Sequence, residues 1–346
     1  MINQASIMMD LEGTELAEDE INMLANPLIG GLILFSRNFE SSEQLRQLIK
    51  NVRAAASQPI LIAVDNEGGR VQRFKTDEFT HIPAMGSIMP SDQTKVDAEV
   101  LQQVKELAWL LASECLAHGI DLSFAPVLDL ERGSDVVGDR AFHHDPQVTI
   151  QLAQSWCEGM TEAGMACVGK HFPGHGSTKE DSHIAAPKDT RSFQQIEQSD
   201  LAVFQAMIAS NHLQALMPAH IEFSQVDKNP VGYSTRWIQD ILKSKLGFNG
   251  LLFSDDLSMI GAGEHLTYTQ RVLKAINAGC DMVLICNNKQ AVQEVLKELS
   301  PQTILGDSKV HDLMAKSFPN SSELIHTQRY FNAVKISQTI KSKNTA

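Results

Sequence analysis

The sequence predicts an α/β protein folded as a single (β/α)8 TIM-type barrel, and three observations carry that expectation. Eight short apolar runs alternate with helix-length segments between residues 5 and 285, the pattern of parallel strands joined by right-handed crossovers. The first run is followed by Asp10-Leu11-Glu12-Gly13, not by the glycine-rich phosphate turn that an open doubly wound sheet would carry there. Polar residues gather just past the runs, in Asp65-Asn66-Glu67-Gly68-Gly69-Arg70, Pro126 to Asp129, Lys170-His171, Pro218-Ala219-His220 and Asp255-Asp256. A barrel builds its active face from such strand ends.

Taken in order, the expected strands are Ala5–Met9, Gly31–Phe35, Ile60–Val64, Leu122–Ala125, Ala166–Val168, Ala215–Met217, Leu251–Phe253 and Met282–Ile285. Each is short, apolar and stopped by polar residues or glycine. Helical patterning fills the intervals at Ser41–Ala56, Asp97–His118, Val148–Ala163, Ser192–Ser210, Thr235–Lys245 and Tyr268–Ala278. Residues 1–300 are expected to form the catalytic barrel. Residues 301–346 read as closing helices and a polar tail of the same domain, too small for a second catalytic unit.

Composition narrows the function. A hydrophobic fraction of 43% and a charged fraction of 21% are those of a soluble globular protein. A formal charge of -13 argues against nucleic acid or an anionic membrane as partner, since both need a positive face. The first eleven residues hold no basic residue and do not read as a signal peptide, and no apolar run is long enough to span a membrane. Five cysteines without a CxxC pair point to a reducing compartment, so the cytoplasm is expected. With no spare domain, the chain is expected to be a monomer.

The richest stretch is Lys170-His171-Phe172-Pro173-Gly174-His175-Gly176, closed by Asp181-Ser182-His183. Its composition offers little to bury, and its glycines and proline force sharp turns that splay polar side chains around a concavity. By residue type, His171, His175, Asp181 and His183 suit zinc, which admits a metal-dependent barrel hydrolase. Against it, the first strand ends in Asp-Leu-Glu and not His-x-His, and Lys170 would add positive charge where a cation should sit. No metal or other cofactor is therefore expected. A non-catalytic sugar-binding barrel is the other alternative. No GxSxG elbow is present for serine chemistry.

Two carboxylates end the seventh run: Asp255, the first able to face the barrel mouth, and Asp256, which suits a helix N-cap. Asp65 stands before paired glycines and two arginines. It reads either as an ion pair bracing a loop or as an acceptor of ligand hydroxyls beside an arginine. Arg140, in Gly138-Asp139-Arg140-Ala141-Phe142, poses the same choice.

With these residues assembled, the chain resembles the β-N-acetylglucosaminidases of glycoside hydrolase family 3, the short single-domain bacterial type that acts on recycled cell-wall fragments. The likeness rests on Asp65 through Arg73, Gly138 through Phe142, the Lys170–His183 stretch and Phe253-Ser254-Asp255-Asp256-Leu257-Ser258-Met259, in that order along the chain. The resemblance implies that Asp255 is the nucleophile and that His183, paired with Asp181, is the acid/base. It further implies that Asp65, Arg73, Arg140, Lys170 and His171 bind the N-acetylglucosamine ring. The implied substrate is GlcNAc-1,6-anhydroMurNAc with or without peptide, cleaved with retention. Such hydrolysis needs one group to attack the anomeric carbon and another to protonate the leaving oxygen. Asp181 suits the task of fixing the imidazole tautomer and raising its basicity.

Overall fold

A computed structural model describes residues 6–178, 187–299 and 309–344. All eight expected strands form: β1 (Ser6–Met9), β2 (Ile29–Leu34), β3 (Leu61–Val64), β4 (Leu122–Ser123), β5 (Val168–Phe172), β6 (Ala215–Pro218), β7 (Leu251–Leu252) and β8 (Met282–Leu284). Every pairing among them is parallel. One sheet runs β8-β1-β2-β3-β4 and a second runs β7-β6-β5. Single parallel bridges, Val127 to Lys170 and Phe253 to Met282, link the edges of the two.

Alternation along the strands sends side chains to two cores, as the two-residue period demands. Ile7 and Met9, Ile62 and Val64, and Leu216 join a large cluster packed against the helices. Their neighbours Met8, Leu61, Ala63, Val168, Ala215, Met217, Leu251 and Met282 join a second cluster that draws on both sheets. Phe124 and Phe253, on opposite sheets, meet edge to face in it at 5.2 Å. Gly31 in β2 leaves room for this cluster, since a Cβ there would sit 2.8 Å from both Met282 and Met8.

The helices start where local chemistry starts them. Ser41, Asp97 and Thr267 accept from backbone amides as N-caps of Ser42–Ala55, Ala98–Ala117 and Tyr268–Ala278, satisfying donors that a first turn leaves orphaned. Gly164, in the left-handed region at φ 95°, ends Pro146–Ala163. Among the described residues no helix is long and apolar enough to cross a membrane.

Three expectations need correction. The fifth strand lies further along the chain than Ala166–Val168 and carries Lys170 and His171 within it, because buried carboxylates receive these polar side chains. The helix expected over Ser192–Ser210 is two helices, Phe193–Glu197 and Asp200–Ala209. Ser199 breaks it, bonding the Gln195 carbonyl at 2.6 Å and the Asp200 carboxylate at 2.8 Å, the side-chain competition that interrupts helices. Glu18–Leu24 is helical where no helix was expected.

Helix Gln328–Asn344 lies on helix Ala98–Ala117. Arg329 pairs with Glu106 and Glu162 and stacks over the Trp109 ring at 4.4 Å. Helices Ala98–Ala117 and Pro146–Ala163 approach more closely still. A Cβ on Gly159 would stand 2.1 Å from the Lys105 carbonyl oxygen. Gly159→Ala gains about 1 kcal/mol of helix propensity and meets an overpacking cost of roughly 1–3 kcal/mol or more. Thermal or urea melts should therefore find the variant less stable than the parent; a more stable variant would refute the close approach.

Candidate active site

β3 delivers Asp65 immediately after Val64, and the next residues turn back as a short antiparallel pair, Asn66–Gly68 with Val71–Gln72. Gly68 and Gly69, at φ 101° and 56°, make the turn. A side chain at Gly68 would also collide with the Pro83 carbonyl, 2.4 Å from its Cβ position, so only glycine fits. This hairpin aims Asp65, Glu67 and Arg73 at the end of β5.

There the Lys170 ammonium, almost wholly buried, lies 2.9 Å from Asp65 Oδ1 and 2.6 Å from Glu67 Oε1. Arg73 donates to Asp65 Oδ2 at 3.2 Å. Arg140 forks onto Glu67, with Nε and Nη2 each 2.8 Å from a carboxylate oxygen, the bidentate geometry that makes such pairs strong. Two carboxylates thus face three cations in one wall. Burial alone would raise the Asp65 pKa, but Lys170 and Arg73 outweigh it and hold the carboxyl well below its usual range. Glu67 is likewise buried, and Arg140 and Lys170 bring it down to about 2. Burial opposes the charge on Lys170, and Asp65 and Glu67 more than restore it, raising its pKa above the ordinary lysine value.

The other half of the stretch hangs on Asp129, which follows β4 and is fully buried. Its Oδ1 accepts the backbone N–H of His171 at 3.1 Å and of His175 at 2.7 Å, and its Oδ2 receives His171 Nδ1 at 2.7 Å. Burial would raise the Asp129 carboxyl, but His171 and His175 hold it at about 2. The Lys170–His171 and Phe172–Pro173 peptides are cis. His175 is buried, with Thr178 Oγ1 3.1 Å from its Nδ1. Burial lowers its pKa, partly offset by the charges of Asp129 and Asp255.

Asp255 follows β7, half-buried, and its Oδ1 accepts the Asp256 amide at 2.8 Å. Its charge is felt by His175, His220 and Cys286, which puts it in the same mouth as the β5 end. Asp256 caps no helix. It accepts from Ser258 N and Oγ and from the Cys286 amide at 3.0 Å, tying the β7 and β8 ends together. Burial, with Asp255 beside it, raises Asp256 to about 6. His220, also buried, points Nε2 at the Asp256 carbonyl at 3.1 Å.

Asp65, Arg73, Arg140, Lys170 and His171 therefore converge at one end of the strands, and Asp255, at the end of β7, lies near enough for its charge to reach His175. Asp181 and His183 lie outside the described residues. So does one corner of the histidine set considered for zinc, and among the described residues no three His, Cys, Asp or Glu side chains cluster as metal ligands. Asp65 is ion-paired, as the first of its two readings expects. Arg70 turns away, to Asp139 and the 135–137 carbonyls. Sequence reasoning missed Glu67, Asp129 and His220 as site residues. Each stood in a strand-end cluster, which was the available signal; only the fold reveals what each one holds.

Removing one partner of a buried ion network typically costs about 3–5 kcal/mol, so Glu67→Gln should destabilise the protein on that scale. The sign with pH follows from a folded pKa of about 2 against the ordinary glutamate value of 4.5. The Glu67 contribution is fully present above about 4.5 and is lost as pH falls toward 2. Urea titrations should find the gap between parent and variant closing across that window; a pH-independent gap would refute the ion-pair account.

Comparison with known proteins agrees with this geometry. The family model described as "Glycosyl hydrolase family 3 N terminal domain" matches residues 3–315. A beta-hexosaminidase of Idiomarina loihiensis is 48% identical over 331 residues, covering 95% of this chain and 98% of the relative. One of Tolumonas auensis is 46% identical over 326 residues, covering 94% and 95%. A solved structure of NagZ from Neisseria gonorrhoeae in complex with N-trifluoroacetyl-D-glucosamine superposes with a TM-score of 0.89 at 36% identity, over 98% of each chain. With its fold, its polar strand ends and these matches in agreement, the chain belongs to glycosyl hydrolase family 3.

Proposed function

We propose that the chain is a retaining exo-β-N-acetylglucosaminidase that removes non-reducing terminal GlcNAc from peptidoglycan fragments, GlcNAc-1,6-anhydroMurNAc with or without peptide. The observation that carries the reading is the buried wall of Asp65, Glu67, Lys170, Arg73 and Arg140 at the β3 and β5 ends. Fixed carboxylates and cations already paired with one another suit the GlcNAc ring, which offers many hydroxyls and no charge. The relatives' hexosaminidase activity and the GlcNAc analogue bound by the Neisseria protein support the same class. In this reading the two sheets complete one (β/α)8 barrel, supported by the edge bridges and the shared inner core. The barrel spans 1–300, with 301–346 closing it. A cytoplasmic monomer completes the proposal.

The mechanism assigns Asp255 as nucleophile, His183 as acid/base and Asp181 as its partner. Asp65, Arg73, Arg140, Lys170 and His171 grip the sugar ring. A carboxylate oxygen of Asp255 bonds the anomeric carbon as the bond to the leaving oxygen breaks, and His183 gives that oxygen its proton. His183 then takes a proton from water, whose oxygen attacks the same carbon and releases Asp255. Two inversions leave the configuration retained. The fixed wall does not reorganise during these steps, which is how preorganised charge lowers a barrier.

A 5-fluoro-β-GlcNAc donor should leave a covalent adduct that peptide mass mapping locates on Asp255, and Asp255→Asn should lose on the order of 10⁴-fold in turnover. A label elsewhere, or turnover near the parent rate, removes the assignment. His183→Ala should slow a natural disaccharide by roughly 10²–10⁴-fold. An aryl glycoside with a good leaving group should suffer far less in its glycosylation step. Equal losses on both substrates would rule out the acid role.

A further inference from the structure

Asp129 is a buried carboxylate at the site that none of these assignments uses. It follows β4 and, among the described residues, accepts hydrogen bonds from the stretch that begins at the β5 end: His171 N, His171 Nδ1 and His175 N, at 3.1, 2.7 and 2.7 Å. We propose that Asp129 is a positioning residue that commits His171 to the Nδ1–H tautomer, leaving Nε2 as an acceptor for a hydroxyl of the bound sugar. This rests on the reading of His171 as a sugar-binding residue.

The argument is one of donor and acceptor supply. An ionised carboxylate can only accept, and the two backbone N–H groups that Asp129 Oδ1 accepts favour its ionised form. The ring nitrogen 2.7 Å away must therefore carry a proton. In a neutral imidazole that strips the proton from Nε2. No protein hydrogen bond to Nε2 is present among the described residues, so this edge of the ring is left for a ligand. The same carboxylate holds the His175 amide, so the strand end and the turn after it share one anchor. In the neighbouring wall Lys170, Arg73 and Arg140 only donate, and the Asp65 and Glu67 carboxylates already accept from them. A sugar hydroxyl that donates needs an acceptor, and His171 Nε2 provides one beside Asp65.

Asp129→Asn separates this role from simple packing. The amide oxygen can still accept both backbone N–H groups, but the amide nitrogen can only donate, so His171 Nδ1 must become the acceptor and Nε2 must take the proton. The face toward the ligand changes from acceptor to donor with no change in shape, the kind of tautomer error that a triad Asp→Asn substitution produces. Nitrogen-15 NMR of histidine-labelled protein near neutral pH, with His171 assigned through His171→Ala, should find Nδ1 protonated in the parent and Nε2 protonated in Asp129→Asn. The kcat/KM for an aryl β-GlcNAc substrate should fall on the order of 10–100-fold, chiefly through KM. In a His171→Ala background the same substitution should cost about twofold or less.

A parent protein with Nε2 protonated, one tautomer in both proteins, or equal losses in both backgrounds would overturn the proposal. The parent measurement decides the tautomer even where the variant fails to fold. Should the parent not cleave β-GlcNAc substrates at all, the functional reading fails instead, and the spectrum still reports on Asp129.

Discussion

The site is organised around one buried ammonium. Lys170 sits inside β5 with Asp65 and Glu67 on either side, and those two residues come from the hairpin that follows β3. Taking a charge out of water costs several kcal/mol, so Lys170 is tolerable there only while both carboxylates stay close. The carboxylates in turn need more positive charge than one lysine brings, and Arg73 and Arg140 supply it. The hairpin, the loop bearing Arg140 and the end of β5 are thereby locked to one another. An apolar cluster of the same volume would often be at least as stable. What the ions add is a set of fixed charges whose cost is met during folding and not again at each turnover.

The net charge of the whole molecule and the charge of this wall have opposite signs. The chain carries -13, while the wall holds three cations to two anions. The acidic surface governs solubility and long-range encounter; the wall acts only at contact, where screening by water is small. The uncharged GlcNAc ring is what the second reads, through its hydroxyls.

Much of this was legible in the sequence. The eight strands were visible because buried parallel strands are short, continuous and apolar, and their polar ends announced themselves by interrupting such runs. The fifth strand was placed too early for the same reason, since Lys170 and His171 look like the end of a strand until Glu67 and Asp129 are known to receive them. Asp256 was read as a helix cap because a lone carboxylate after a strand most often is one; its true partners, Ser258 and Cys286, include an amide thirty residues away. Glu67 and Asp129 went unassigned because a carboxylate's work depends on what folds against it. Local pattern carries no record of partners 73 and 42 residues distant.

Helix Gln328–Asn344 gives the family match a different meaning at its C-terminal end. The match stops at residue 315, yet Tyr330 donates at 3.0 Å to Glu114, a buried carboxylate that also accepts the Thr80 amide and hydroxyl. Burial already lifts Glu114 to about 7. Trimming the protein where the family match stops would take away that donor and bare the face of Trp109 that Arg329 now covers. The end of the family match is thus a poor place to cut: on this chain it would sever a hydrogen-bond network around a buried carboxylate.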